Sequence, residues 1–265
     1  MTDVALLSDA RTAAVAVLLP KLRERCGRRG DVFHYEVDEG GDVETALATI
    51  ALVRPRVLAI VGDDATVSEV LTVMEARQPF GATPPPIAAL GGGAADVVPH
   101  MLGSPGCSVE GLEQAARLAR AGLGGRLINR VPVAVTAGGL RRLGLMVRTA
   151  GRRSISLRAS ADRGAKISGR FSRLVVVGNQ AEGRAETPRL TMLAVEAGWR
   201  AALSAAAAAI TGRLGMPWAT GGHGTRCDDV AIDGADRLLL DGAAIAGPTM
   251  RLEPAAPVTF LKLAA

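Results

Sequence analysis

The run Val57-Leu-Ala-Ile-Val-Gly-Asp-Asp-Ala-Thr-Val-Ser-Glu-Val70 constrains the fold more than any other part of this chain. An apolar strand empties into the turn Gly62-Asp63-Asp64-Ala65-Thr66, and the turn opens a helix at once. Small residues at a strand end let backbone amides approach a phosphate. The first turn of the helix adds unpaired N–H groups and a partial positive charge. The segment predicts a nucleotide site at the carboxyl end of a strand in an α/β sheet.

The first half of the chain repeats this strand-then-helix pattern. Val4 to Leu7 reads as a strand and Arg11 to Cys26 as a helix in which Pro20 predicts a kink or a break. Val32 to Val37, Val57 to Val61 and Ile87 to Leu90 read as further strands. Asp42 to Val53 and Thr66 to Arg77 read as helices, and a helix through Leu102 follows the run Gly91-Gly92-Gly93. Ser108 is a good N-cap for a helix over 109–121, which Gly122 stops. Such alternation predicts a parallel sheet covered by helices on both faces, with ligands beyond the carboxyl ends of its strands.

Beyond Gly122 the pattern changes to short strands, most of them separated by Gly- or Asp-containing turns such as Ala161 to Gly164. These strands are Val131 to Val135, Ser154 to Arg158, Arg173 to Val177, Leu190 to Val195, Val230 to Ile232, Arg237 to Leu240, Met250 to Leu252 and Val258 to Leu263. One helical stretch, Trp199 to Thr211, interrupts them. The expected organisation is an α/β nucleotide-binding domain over 1–122 and an antiparallel β domain, sandwich-like, over 123–265.

Charge divides along the same line. Lys and Arg against Asp and Glu give −5 for residues 1–122 and +10 for 123–265. Between Arg126 and Arg173 stand eleven arginines and Lys166 against the single acid Asp162. This stretch is either the solvated face of strands or a surface for phosphates and anionic membrane. Nucleic acid is not expected, because the stretch holds one aromatic, Phe171, and no recognised binding motif. Cys26, Cys107 and Cys227 form no CxxC pair, which argues against a disulfide framework and for a reducing, cytoplasmic setting. The apolar stretch Ala201 to Ile210 is too short to span a bilayer, so membrane contact is expected to be peripheral. His223, Cys227, Asp228 and Asp229 could be taken for metal ligands, but a Gly-rich surface loop is the simpler reading.

The turn at Gly62 to Thr66 resembles the glycine-glycine-aspartate-glycine-threonine signature of the diacylglycerol kinase catalytic family. That family includes sphingosine, ceramide and bacterial lipid kinases and is akin to the NAD kinases. Gly62, Asp64 and Thr66 match, Asp63 and Ala65 stand where the family has glycine, and Glu69 is kept in the helix. Leu90-Gly91-Gly92-Gly93-Ala94-Ala95-Asp96 is similar to the family's second glycine-containing turn and keeps Gly92 and Asp96. Val175 to Asn179 resembles a strand of the β domain that ends in asparagine. Leu238-Leu-Leu-Asp241-Gly242-Ala243 resembles the aspartate-glycine-glutamate motif, with Ala243 in place of the glutamate.

The resemblance implies an NAD kinase/diacylglycerol kinase-like fold and an ATP-dependent lipid kinase whose domains form a cleft. It implies ATP and Mg2+ as cofactors and a lipid hydroxyl as acceptor: diacylglycerol, ceramide or a sphingoid base. It places Asp64 on the metal, Asp241 as general base, and Gly62, Asp63, Thr66, Glu69, Gly91, Gly92, Gly93 and Asp96 around the nucleotide. Homodimerisation stays open. Ordinary roles stand beside these: Asp64 and Thr66 as helix-start residues, the glycines as turns, and Asp241 as the end of a hairpin.

The departures bear on chemistry. The family's N-terminal phosphate loop is replaced by Leu7-Ser8-Asp9-Ala10-Arg11. Asp63 adds charge beside Asp64, and two like charges about 4 Å apart repel by roughly 4 kcal/mol at an effective dielectric of about 20 unless a cation separates them. The alternative to a weakened kinase is a catalytically silent lipid- or nucleotide-binding relative with a regulatory role. A third reading, another small-molecule kinase of the NAD kinase superfamily, rests only on the shared turn.

Overall fold

The computed structural model describes residues 2–92, 96–104, 108–150, 155–161, 166–180, 189–196, 222–233 and 237–264. It divides into two compact units, Met1–Asn129 with Val258–Ala265, and Arg130–Pro257. Gly93, the turn over 162–165 and the helix expected over 199–211 lie outside the described residues, as does Cys107.

The first unit contains β1 (Val4–Asp9), α1 (Ala13–Gly27), β2 (Val32–Val37), α2 (Val43–Leu52), β3 (Val57–Gly62), α3 (Asp64–Arg77), β4 (Ile87–Gly91), α4 (Val97–Met101), α5 (Ser108–Ala121) and β5 (Leu127–Arg130). Its sheet runs β2-β1-β3-β4, then the C-terminal strand Val258–Leu261, then β5. The pairs among β2, β1, β3 and β4 are parallel, as the alternation predicts. Phe260 pairs with Ile87, also in parallel. The last strand therefore belongs to the first sheet and not, as expected, to the second domain.

Every residue of β1, β3 and β4 is buried, the mark of strands covered on both faces. Val4, Leu6, Val57, Ala59, Val61, Ala88 and Leu90 pack with Val15, Leu19 and Leu22 of α1 and with Leu112, Ala115 and Ala116 of α5. The alternate residues Ala5, Leu7, Leu58, Ile60 and Ile87 point to the other face and are equally buried. α1 is not broken at Pro20. Pro20 and Ala16, the residue whose carbonyl loses its donor there, both lie on the exposed side.

The second unit holds β6 (Val133–Ala137), β7 (Leu140–Gly144), β8 (Met146–Thr149), β9 (Ile155–Ala161), β10 (Lys166–Gly178), β11 (Leu190–Glu196), β12 (Gly222–Asp233), β13 (Leu238–Leu240), β14 (Ala243–Ile245) and β15 (Thr249–Pro254). Its antiparallel order is β14-β13-β8-β10-β11-β12-β15-β6-β7, with β9 paired to both β10 and β12. That double pairing works because the two long strands change partners at bulges. Before its irregularity at 171–173, β10 pairs with β9, and after it with β11 and β8. The shift in β12 lies at 227–229, between its pairing with β11 and its pairing with β9. A bulge bends a strand and sharpens its twist, so each long strand serves two parts of the sheet. Val133, Val147, Leu157, Phe171, Met192 and Ile232 are among the core residues.

Among the described residues, no helix is long and apolar enough to cross a membrane.

A buried polar pair makes the first unit sensitive to acid. Ser8 Oγ lies 2.9 Å from His34 Nε2, with Glu36 Oε1 3.6 Å from Nδ1. Burial pushes the His34 pKa below its ordinary 6.5; Glu36 opposes the shift and Arg23 adds to it. Below pH 6.5 the unfolded chain takes this proton before the folded one, so stability must fall as pH drops from 6.5 toward the depressed folded value. Denaturant titrations between pH 7.5 and 5.0 should show that fall, and His34→Gln should flatten it.

Candidate functional site

The turn after β3 is built by its acidic residues. Asp63 is the N-cap of α3, and its Oδ1 accepts from Thr66 N–H at 2.8 Å. Gly62 is required there: a Cβ on it would lie 2.5 Å from the Thr66 side chain. Thr66 Oγ1 lies 2.7 Å from Asp9 Oδ2 and 3.0 Å from Asp63 Oδ1. A hydroxyl has one proton, so the shorter contact to Asp9 is where it is mainly donated.

Asp9 ends β1 and its side chain is only 4% exposed. The Arg11 guanidinium donates to both of its oxygens at 2.8 and 2.9 Å and reaches Glu69 Oε2 at 2.7 Å. Burial works against charge on Asp9, but hydrogen bonds from Arg11 and Thr66 outweigh it and hold the carboxyl below its usual range. The hydrogen bonds that Arg11 donates to Asp9 and then to Glu69 raise its pKa. Glu69, Arg11, Asp9, Thr66 and Asp63 thus form one connected network. Sequence reasoning named Glu69, Thr66 and Asp63 as site residues, and Asp9 and Arg11 only as part of the segment that replaces the family's N-terminal phosphate loop. Their signal was position, at the carboxyl end of the first strand, where α/β sheets place ligand contacts.

Asp64 reaches across to α4. Its Oδ2 accepts from Val97 N–H at 2.9 Å and its Oδ1 from Val98 N–H at 3.0 Å, whereas Asp96, the N-cap residue, makes no side-chain cap bond. Burial raises the Asp64 pKa; the two amides pull it down, and the neighbouring charges of Asp96 and Asp63 push it up. Gly91 lies opposite Gly62 in the sheet, and a Cβ on it would meet Asp96 Oδ2 at 3.3 Å. Gly92 N–H donates to Gly62 O at 3.0 Å, and its own Cβ position is 2.7 Å from Val15. The expected residues Gly62, Asp63, Asp64, Thr66, Glu69, Gly91, Gly92 and Asp96 do converge, but the two innermost glycine faces are filled by the chain's own side chains.

Asp241 sits in the second unit at the two-residue loop between β13 and β14. Asp241 and Gly242 have φ of 46° and 85°, the left-handed pair that a tight hairpin requires. The carboxylate is buried. Its Oδ2 accepts from Leu145 N–H and its Oδ1 from Met146 N–H, both at 2.8 Å. A Cβ at Gly144 would strike Oδ2, so glycine is needed for the carboxylate to fit. In this unit Asp241 ties its hairpin to the junction of β7 and β8.

The remaining sequence candidates resolve into ordinary structure. Cys227 is buried, with its sulfur 3.8 Å from Leu190 O. Asp228 lies beside Arg189 and Asp229 beside Arg251, and the His223 side chain is outside the described residues. No three ligating side chains converge on a metal position among the described residues. Two arginines of the basic stretch meet acids distant in sequence, Arg158 with Asp233 at 2.6 Å and Arg141 with Glu253 at 3.6 Å.

No family model matches the chain, and no curated protein matches it in sequence. Solved structures do. A diacylglycerol kinase from Bacillus anthracis str. Sterne superposes with a TM-score of 0.64 at 14% identity, over 98% of this chain and 96% of that one. A second structure from that organism, provisionally assigned as a diacylglycerol kinase, gives 0.66 at 13% identity over 99% and 95%. The chain has the diacylglycerol kinase fold. Within that fold, the glycine-rich turns and the aspartate hairpin occupy the strand ends and loop described above.

Two substitutions test these assignments. Removing one partner of a buried ion pair costs about 3–5 kcal/mol; Arg11 is 32% exposed, so Arg11→Met should destabilise by roughly 2–3 kcal/mol, read from urea midpoints. Asp241→Asn presents an NH2 to one backbone donor and should cost about 1–3 kcal/mol, seen as a lower thermal midpoint.

Proposed function

We propose that this chain is a catalytically silent, lipid-binding relative of the lipid kinases with a regulatory role. The observation that carries the reading is that its own carboxylates take the donors a polyphosphate needs. The first-turn amide of α3 is held by Asp63, the first amides of α4 by Asp64, and the Arg11 guanidinium by Asp9 and Glu69. Asp9, Asp63, Asp64, Glu69 and Asp96 set five formal negative charges against one arginine at this sheet edge. A nucleotide triphosphate does not fit these residues as they stand, because it must displace several charge-assisted hydrogen bonds and then face the freed carboxylates.

Mg2+ binds through one or two carboxylates together with phosphate oxygens. Asp64 and Asp96 have the chemistry for it, but with the polyphosphate excluded the remaining ligands are lacking. The second reading is a weakened lipid kinase using ATP and Mg2+ to phosphorylate diacylglycerol, ceramide or a sphingoid base. It is favoured by the nearness of Asp64 to Asp96 and by the retention of Asp241 in its hairpin.

Calorimetry decides between them. The silent reading expects no heat from ATP with or without Mg2+, and no phosphate transferred to any of the three lipids. Mg2+-dependent ATP binding with transfer would establish the kinase. Asp63→Gly combined with Ala65→Gly should then raise ATP affinity if the altered turn is what blocks the phosphates. Direct lipid binding is read with a short-chain, monomeric diacylglycerol.

A further inference from the structure

The strand order of the second unit ends in β14 on one side and β7 on the other, each with a single neighbour. These two edges face one another. A cleft of about 100 Å3 between them is lined by Val135, Leu140 and Arg142 on one side and Ala244, Ile245 and Ala246 on the other. The Cβ position of Gly247 lies only 3.4 Å from Ala137 Cβ. An open edge invites pairing with another chain, and here each edge is sheltered by the other except at the cleft mouth.

At that mouth the protein presents a leucine to solvent. β6 and β7 are joined by Gly138 and Gly139, with φ of 57° and 80°, and Ala137 pairs directly with Leu140. The tight hairpin therefore offers Leu140 on a defined backbone, and its side chain is 67% exposed. Ala244, Ala246 and Pro248 are exposed on the facing segment. Neither 131–150 nor 242–252 contains an Asp or Glu, while Arg141 and Arg142 follow Leu140 directly. Arg141 lies 3.6 Å from Glu253, so Arg142 at the cleft is the principal cation.

We propose that this hairpin mouth is the surface by which the protein docks on an anionic phospholipid bilayer, with Leu140 inserting among the acyl chains and Arg142 meeting lipid phosphates. An apolar tip beside arginine, with no acid in either segment, is complementary to such an interface. The proposal rests on the lipid-binding reading but not on the outcome for ATP.

The test is co-sedimentation with vesicles of phosphatidylcholine alone and of phosphatidylcholine with phosphatidylglycerol. The parent should bind the acidic vesicles and release them as salt rises. Leu140→Ser should weaken binding about tenfold, and Arg142→Gln about fivefold with a shallower salt dependence. Leu52→Ser alters an 81% exposed leucine on α2 and should change nothing. Unchanged binding in both hairpin variants, equal binding to neutral vesicles, or no vesicle binding at all would overturn the proposal. If monomeric diacylglycerol still bound in that last case, the docking surface alone would fall and the lipid-binding reading would stand.

Discussion

The buried Asp9 carboxylate is the constraint on which the first unit's sheet edge depends. A charge there is tolerable because the Arg11 guanidinium grips both oxygens and the Arg11 backbone N–H and the Thr66 hydroxyl donate two more hydrogen bonds. That arrangement fixes the end of β1 against the start of α3 and, through Glu69, the next turn of the helix. It also fixes Thr66 over Gly62, which leaves no room for a side chain at the strand end. The glycine at that turn is thus explained by packing inside the protein rather than by access for a ligand.

A second carboxylate organises the other unit by the same physics. Asp241 gives each of its oxygens to one backbone amide, Leu145 and Met146. The amide groups between β7 and β8 are left without ladder partners by the break at Leu145, so a buried acceptor must satisfy them. The same bonds hold the β13–β14 hairpin beside that break. Buried charges in both units are therefore structural ties before they are anything else.

This reuse of charge separates the chain from what its fold suggests. A phosphate site depends on backbone donors left open for a ligand. Here Asp63 and Asp64 close those donors from within, and Arg11 is already neutralised. The fold is shared across nearly the whole length of the chain at low identity, and at this chain's sheet edge the carboxylates cap helices. The sheet itself is held by apolar residues such as Leu6, Ala59 and Leu90, whose packing does not involve the edge carboxylates, so the fold does not by itself fix the chemistry at that edge.

What the sequence by itself determined was local. Short apolar runs alternating with helical stretches placed β1 through β4 and their helices, an acid after β3 announced a helix start, given to Asp64 although the cap is Asp63, and Asp241-Gly242 announced a hairpin. Those signals act over a few residues, so they survive without knowledge of the rest of the chain. Tertiary structure alone decided the return of Val258–Leu261 to the first sheet, the two partners of β9 and the bulges that allow them. It also decided that Asp64 caps α4, accepting from Val97 33 residues away, and that Asp9 meets Thr66 across 57. It decided too that Arg158 meets Asp233, 75 residues away. Such pairings join segments that are remote in sequence. Which carboxylate meets which donor is set by the packing of elements against one another, and no local pattern encodes it.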